Sequence, residues 1–204
     1  MFNKLIYLIR HGETDFNKLG IVQGSGINSE LNEKGKQQAQ SFYQYYKDIQ
    51  FQKIYTSALI RTQQSVLPFI EAGRPYQIFP ELNEISWGVF EGKPQNEAER
   101  KAYWDVVNAW KFGDFSAKIE AGESAAELHL RQQSFIQFLR LQKESCVLVA
   151  THGRAMKSLL CAMLQLPLTQ METFEHSNLC LYILEFNGST FELLSRNNTQ
   201  HLRA

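Results

Sequence analysis

Hydrophobic and polar positions along this chain switch between two periods, and the switching spells out strands followed by helices. Residues 4–9 form a short apolar run with the length and β-branched content of a buried strand. Asn32 can cap a helix running to about Tyr46, with Ala39, Phe42, Tyr43 and Tyr46 on one face at spacings of three and four. Residues 53–57 read as a second strand. It leads into a helix from about Ala58 to Ile70, ended by Gly73 and Pro75. Residues 76–79 are a weaker third strand, stopped by Pro80. Pro94 suits a first helical position and opens a helix to about Lys111, with Ala102, Val106 and Trp110 at fourfold spacing. Ser124 and Glu127 form a capping box for a helix to about Gln142. Residues 146–150 are a continuous apolar strand, and 153–164 the helix after it. Two last apolar segments, 179–186 and 190–194, flank Asn187-Gly188, a two-residue hairpin turn.

Strands alternating with helices imply an α/β fold: a three-layer sandwich with a mixed, mainly parallel central sheet flanked by helices. The closing hairpin adds an antiparallel edge. No Pro/Gly/Ser linker divides the chain, so residues 1–204 are expected to form one domain. Within it, about 81–141 should be a largely helical insertion over the C-terminal ends of the strands.

Composition narrows the function. Lys+Arg and Asp+Glu are each 21, a net charge of zero that leaves no excess for nucleic acid or an anionic membrane. The longest unbroken apolar runs are six residues, at 159–164 and 179–184, far short of a membrane span. Residues 1–10 lack the apolar length and cleavage site of a signal peptide. Cys146, Cys161 and Cys180 are odd in number, far apart and set among apolar residues, as expected for buried thiols in a reducing compartment. The expectation is a soluble, cytoplasmic protein; nothing in the pattern speaks to oligomeric state.

Ligands of open α/β sheets bind beyond the carboxyl ends of the strands. There the sequence sets Arg10-His11-Gly12 after the first strand and Thr56-Ser57 after the second, with Arg61 a helical turn later. Leu82-Asn83-Glu84 follows the third, and Thr151-His152-Gly153 the strand at 146–150. Taken singly, each is more readily a polar loop residue, a solvated helix arginine or a residue starting a helix. Together they bring two arginines, two histidines and a carboxylate to one rim. Arginines repel a metal ion but bind phosphate oxygens in pairs, and two of them balance a phosphate monoester. Backbone N–H groups at the start of the Gly153 helix can add donors to the same oxygens. A histidine with one ring nitrogen held by the turn backbone at Gly12 can attack phosphorus through the other. The leaving alkoxide needs a proton, which Glu84 can supply.

These residues resemble the histidine phosphatase superfamily, also called phosphoglycerate-mutase-like. Arg10-His11-Gly12-Glu13-Thr14, with Asn17 and Gln23-Gly24, is similar to its opening signature. The segment 56–65 resembles its second motif, and Leu82-Asn83-Glu84 with residues 88–92 its acid loop. Thr151-His152-Gly153 resembles its second-histidine motif, and Ser177-Asn178 a pair the family often carries. The resemblance implies that His11 is the phosphorylated nucleophile and Glu84 the general acid, then the base that activates water. It implies that Arg10, Arg61 and His152 stabilise the transferring phosphoryl group, supported by Asn17 and the Gly153 amide, with Gln23 touching substrate. It also implies no metal and no organic cofactor, and a small phosphorylated metabolite as partner.

Asn28 stands where the family commonly has Asp, removing a charge from a loop expected to position the first motif. Glu84 and His152 are 68 positions apart, short for the mutase branch, and residues 93–143 carry eight basic against seven acidic side chains with no adjacent arginine pair. Hydrolysis is therefore the expected reaction. Mutase-type transfer and a catalytically silent phospho-ligand binding protein are the alternatives, although a silent member is expected to have lost His11 or Glu84. One or two aromatic residues, foremost Trp87 or Phe90, are expected to line the leaving-group pocket, favouring an apolar or ring-shaped portion, and His176 to border it. Sugar phosphates, nucleotides, the ribazole phosphate of cobalamin synthesis and phosphoglycerate all fit this chemistry. His201 reads as tail.

Overall fold

The computed structural model describes residues 3–203; Met1 and Phe2 of the N-terminal stretch, and position 204 at the end of the expected domain, lie outside them. In chain order the elements are β1 (Lys4–Arg10), α1 (Asp15–Lys18), α2 (Glu33–Tyr46), β2 (Lys53–Thr56), α3 (Ile60–Glu71) and β3 (Tyr76–Ile78). Then come α4 (Glu97–Lys111), α5 (Ala125–Leu141), β4 (Cys146–Thr151), α6 (Gly153–Met163), β5 (Leu181–Phe186) and β6 (Phe191–Asn198).

The sheet order is β3-β2-β4-β1-β5-β6. The first four strands run parallel, β5 is antiparallel to β1, and β6 closes the edge antiparallel to β5. A strand covered on both faces must be apolar at every position. Along β1, Ile6 and Leu8 enter one core with α5 and α6 residues such as Phe135 and Leu159. Tyr7 and Ile9 enter the other, against Phe42 of α2 and Phe69 of α3. The buried Lys4 amine donates to the Leu139 and Gln142 carbonyls, placing a cation at the C-terminal end of α5.

The stretch 81–141 divides in two. Trp87 and α4 stand above the strand ends, while α5 belongs to the flanking layer, with the Phe135 ring 5.8 Å from that of Tyr55 in β2. Its capping box forms as read: Ser124 Oγ accepts from the Glu127 amide, and the Glu127 carboxylate from the Ser124 amide. Substituting such a cap with alanine typically costs about 1 kcal/mol.

Several local expectations are corrected. The α4 helix does not start at Pro94, because Asn96 and Glu99 form a capping box two residues later. The hairpin turn is longer than two residues: Phe186 pairs with Phe191, and the Asn187 side chain accepts from the Ser189 and Thr190 amides. His201 is no tail. It is fully buried, donates its Nε2 hydrogen to Leu179 O at 2.8 Å, and packs edge-on against Phe42. The one-turn helix α1, capped by Thr14 and Asn17, escaped the periodicity because it is too short to carry one.

Candidate active site

Parallel pairing of β1, β4 and β2 brings Arg10 level with Thr151 and Thr56 level with Ala150, so three motifs emerge side by side. His11 extends the ladder through its amide to Thr151 O (2.9 Å), and its carbonyl accepts from Asn178 Nδ2 (3.1 Å). Gly12 donates to Ser65 Oγ at 2.8 Å and lies against the start of α2. A Cβ on Gly12 would sit 2.8 Å from Gly35 O, and one on Gly35 only 2.1 Å from Glu13 O, so both glycines are required by the close approach of two backbones.

The His11 Nδ1 is 2.7 Å from Gly12 O. A carbonyl can only accept, so Nδ1 carries the proton and Nε2 keeps its lone pair. Burial, reinforced by Arg61 and Arg10, holds the His11 imidazole well below its usual range, so it is neutral at neutral pH. The His152 ring lies 5.1 Å away and is held down by the same causes, burial first and then Arg61. Its Nδ1 accepts from Arg61 Nε (3.1 Å), and its Nε2 then donates to Ser57 Oγ (2.8 Å).

Arg61 also donates Nη1 to Ile27 O and Nη2 to Gly24 O. Five N–H donors on a guanidinium, less these three bonds, leave two. Burial brings Arg61 down to about 10, so its charge survives at neutral pH. Arg10 Nη1 pairs with His176 Nδ1 at 3.1 Å, while its buried Nε has no partner among the described residues. His176 is pushed down to about 3 by burial and by Arg10, Lys157 and Arg154.

Glu84 is buried, and backbone amides fix both its carboxylate oxygens. Oε1 accepts from Ile85 N (3.0 Å) and Ala155 N (2.8 Å), and Oε2 from Arg154 N (3.1 Å). The first turn of α6 thus docks the carboxylate, and Gly153 is left at the cleft.

A cleft of about 320 Å³ opens over these groups, lined by Arg10, His11, Asn17, Gln23, Glu84 and Gly153 among others. Trp87 and His176 also line it. Phe90 does not: it closes a short 3-10 turn and packs into the core. Arg61 and His152 do not line the cleft. Both are fully buried behind it, so the second arginine and second histidine are screened from the cleft rather than on its wall. Asn28 supports the second motif instead of the first, its Oδ1 accepting from Ile60 N (2.7 Å) at the start of α3, where Leu59 offers no side-chain cap. A neutral amide oxygen serves for that bond.

Sequence reading missed the opposite wall. Arg154 and Lys157, one turn apart on α6, line the cleft and share the Glu172 carboxylate, with Lys157 Nζ 3.0 Å from Oε2. Their signal was present in the sequence: Arg154 and Lys157 are the two charged residues of a helix whose other side chains, Ser158 apart, are apolar, and ten of its eleven residues are buried. Tyr103 and Trp104 of α4 complete that wall, Tyr103 stacked 4.4 Å from Trp87.

A buried neutral histidine at a strand end, arginines around it and a carboxyl docked nearby suit the handling of a phosphoryl group. The chain belongs to the histidine phosphatase superfamily (branch 1), whose profile matches residues 6–199. It is a phosphoric monoester hydrolase of that family. It is 29% identical to phosphoserine phosphatase 1 of Hydrogenobacter thermophilus over 98% of this chain and 94% of that one. It is 33% identical to a probable phosphoglycerate mutase GpmB of Erwinia tasmaniensis over 79% of this chain and 75% of the other. The solved structure of a phosphoserine phosphatase mutant from Entamoeba histolytica, in complex with phosphoserine, superimposes with a TM-score of 0.84 at 26% identity, covering 98% of this chain and 99% of that one.

Proposed function

We propose that this enzyme hydrolyses a small organic phosphate carrying a second anionic group, through a phosphohistidine at His11 and without a metal ion. The observation that carries the reading is the His11 ring, neutral, with Nδ1 tied to Gly12 O and Nε2 left for phosphorus. In the first step the Nε2 lone pair forms the N–P bond while the ester P–O bond breaks. The leaving oxygen takes a proton from Glu84, whose Oε2 accepts one amide bond against two at Oε1 and so has room to carry it. In the second step Glu84 takes a proton from water, the water oxygen bonds to phosphorus, and the N–P electron pair returns to Nε2. Arg10 contacts the phosphoryl oxygens with its Nε, which has no partner among the described residues, and Asn17, Gln23 and the Gly153 amide support it, while Arg61, buried behind the cleft, adds its positive charge from there. His152 acts through Arg61, since both its ring nitrogens are occupied.

The second anionic group is assigned to Arg154 and Lys157, two buried cations balanced by one partly exposed carboxylate. The phosphoserine bound to the Entamoeba relative carries a carboxylate, which supports this reading. Trp87, Tyr103 and Trp104 supply apolar walls for the carbon skeleton.

The test is hydrolysis of p-nitrophenyl phosphate with and without a chelator. Activity survives the chelator, and His11→Ala loses on the order of 10⁴-fold or more in kcat, the scale seen when a nucleophile is removed. Turnover by that variant near the wild-type rate overturns the assignment.

A further inference from the structure

The loop that carries Glu84 makes few backbone bonds of its own, yet its carbonyls are all taken. Leu82 O accepts from Thr151 Oγ1 at 2.8 Å. Glu81 O, Asn83 O and Glu84 O converge on one guanidinium: Arg131 Nη1 donates to Glu81 O (2.7 Å), and Nη2 to Asn83 O (2.9 Å) and Glu84 O (3.1 Å). The other edge of Arg131 grips Glu123 in a bidentate pair, Nε to Oε1 at 2.7 Å and Nη2 to Oε2 at 3.0 Å. Glu123 is itself tied to the loop, its amide donating to Ser86 O (2.8 Å) and its carboxylate accepting from Ser86 N (3.4 Å).

We propose that the Arg131–Glu123 pair positions the general acid, so that it controls proton delivery to the leaving group without touching substrate. Glu84 is then held at both ends, its carbonyl by Arg131 and its carboxylate by the first turn of α6. Three carbonyl dipoles aimed at one point repel one another unless a cation sits there. Only a planar fork can serve three carbonyls and a carboxylate together; a lysine ammonium has three donors and no fixed plane. Arg131 lies on α5, in the flanking layer, and neither it nor Glu123 lines the cleft that holds His11. Loss of the fork lets the loop shift while β1, β4 and α6 stay in place. A displacement of about 1 Å at a reacting group can cost 10²-fold in rate.

This inference rests on the proposed function, and the experiment separates the two. The rate of phosphoenzyme formation is measured by rapid quench with p-nitrophenyl phosphate, whose leaving group needs no proton, and with phosphoserine, whose alkoxide does. In Arg131→Lys the phosphoserine rate falls about 10–100-fold, and the p-nitrophenyl rate less than about threefold. Glu123→Gln gives a smaller loss with the same selectivity, and stands in should Arg131→Lys not fold. Equal losses on both esters, or none on either, overturn the positioning role and leave the function intact. A wild type that forms no phosphoenzyme overturns the function, and this role with it.

Discussion

The two walls of the cleft are built on different principles. On the phosphoryl side, His11, Arg10 and His152 sit within a residue of paired strands, and backbone carbonyls or short hydroxyl bonds fix Arg61, His11 and His152. On the leaving-group side, Arg154, Lys157, Glu172, Tyr103 and Trp104 come from a helix, a 3-10 turn and α4, and they meet side chain to side chain. The first arrangement cannot adjust without unpairing the sheet. The second can be rebuilt one side chain at a time. Phosphoryl chemistry should therefore tolerate almost no change on its side, while substitutions opposite should alter which ester is accepted.

The sharpest test is Glu84→Gln, which keeps the two amide bonds at Oε1, gives up the one from Arg154 N because an NH2 group cannot accept it, and removes the transferable proton. Loss of general acid catalysis is worth on the order of 10²–10⁴-fold. The loss in phosphoenzyme formation should be near the top of that range for an alkyl phosphate and small for an aryl one. A uniform loss places Glu84 among the phosphate-binding groups instead. Arg154→Ala comes next. A hydrogen bond to a charged group contributes about 1.5–3 kcal/mol, so kcat/KM for phosphoserine should fall about 10–100-fold. Propyl phosphate, which lacks a carboxylate, should change little. Equal losses on the two would place Arg154 in the phosphoryl pocket and remove the distinction between the walls.

The same contrast explains what the sequence disclosed. Every group on the phosphoryl side follows a strand or starts a helix, so strand ends read from periodicity were enough to collect Arg10, His11, Glu84 and His152 at one rim. Burial depth was not legible: nothing in the segment 56–65 says that Arg61 bends back to Gly24 and Ile27. Glu172 is 18 residues from Arg154, on a 3-10 turn with no periodic signature, so its ion pair exists only in three dimensions. Phe90 failed for a related reason. Adjacency to Glu84 in sequence does not give the side of a turn, and the 3-10 geometry of Gly88–Phe90 sends that ring into the core. His201 was misread because chain ends usually fray, whereas here the ring fills a slot against Phe42 and Tyr46.

Acidification should separate the two walls through stability rather than rate. The folded-state values of His11, His152 and His176 are all lowered, by burial first and then by neighbouring arginines. Unfolded histidine titrates near 6.5, so below that pH the unfolded chain binds more protons than the native one and stability declines. At pH 5 each histidine still neutral in the fold costs up to about 2 kcal/mol relative to neutral pH. Glu172 behaves differently. Burial raises its carboxyl, but Arg154 and Lys157 outweigh that and hold it below the usual range. Its contribution is therefore lost only as pH falls below about 4.5, the ordinary carboxylate range. Thermal unfolding between pH 8 and 5 should show Tm falling on the acid side of 6.5, by about 2–4 °C per kcal/mol for a chain of this size. Inorganic phosphate should offset part of the fall, because an anion beside Arg10 in the cleft relieves part of the repulsion that opposes histidine protonation. A Tm that holds level to pH 5 and drops only below 4.5 would show that the imidazoles carry no penalty, and that the ion pairs of the leaving-group wall set the acid limit.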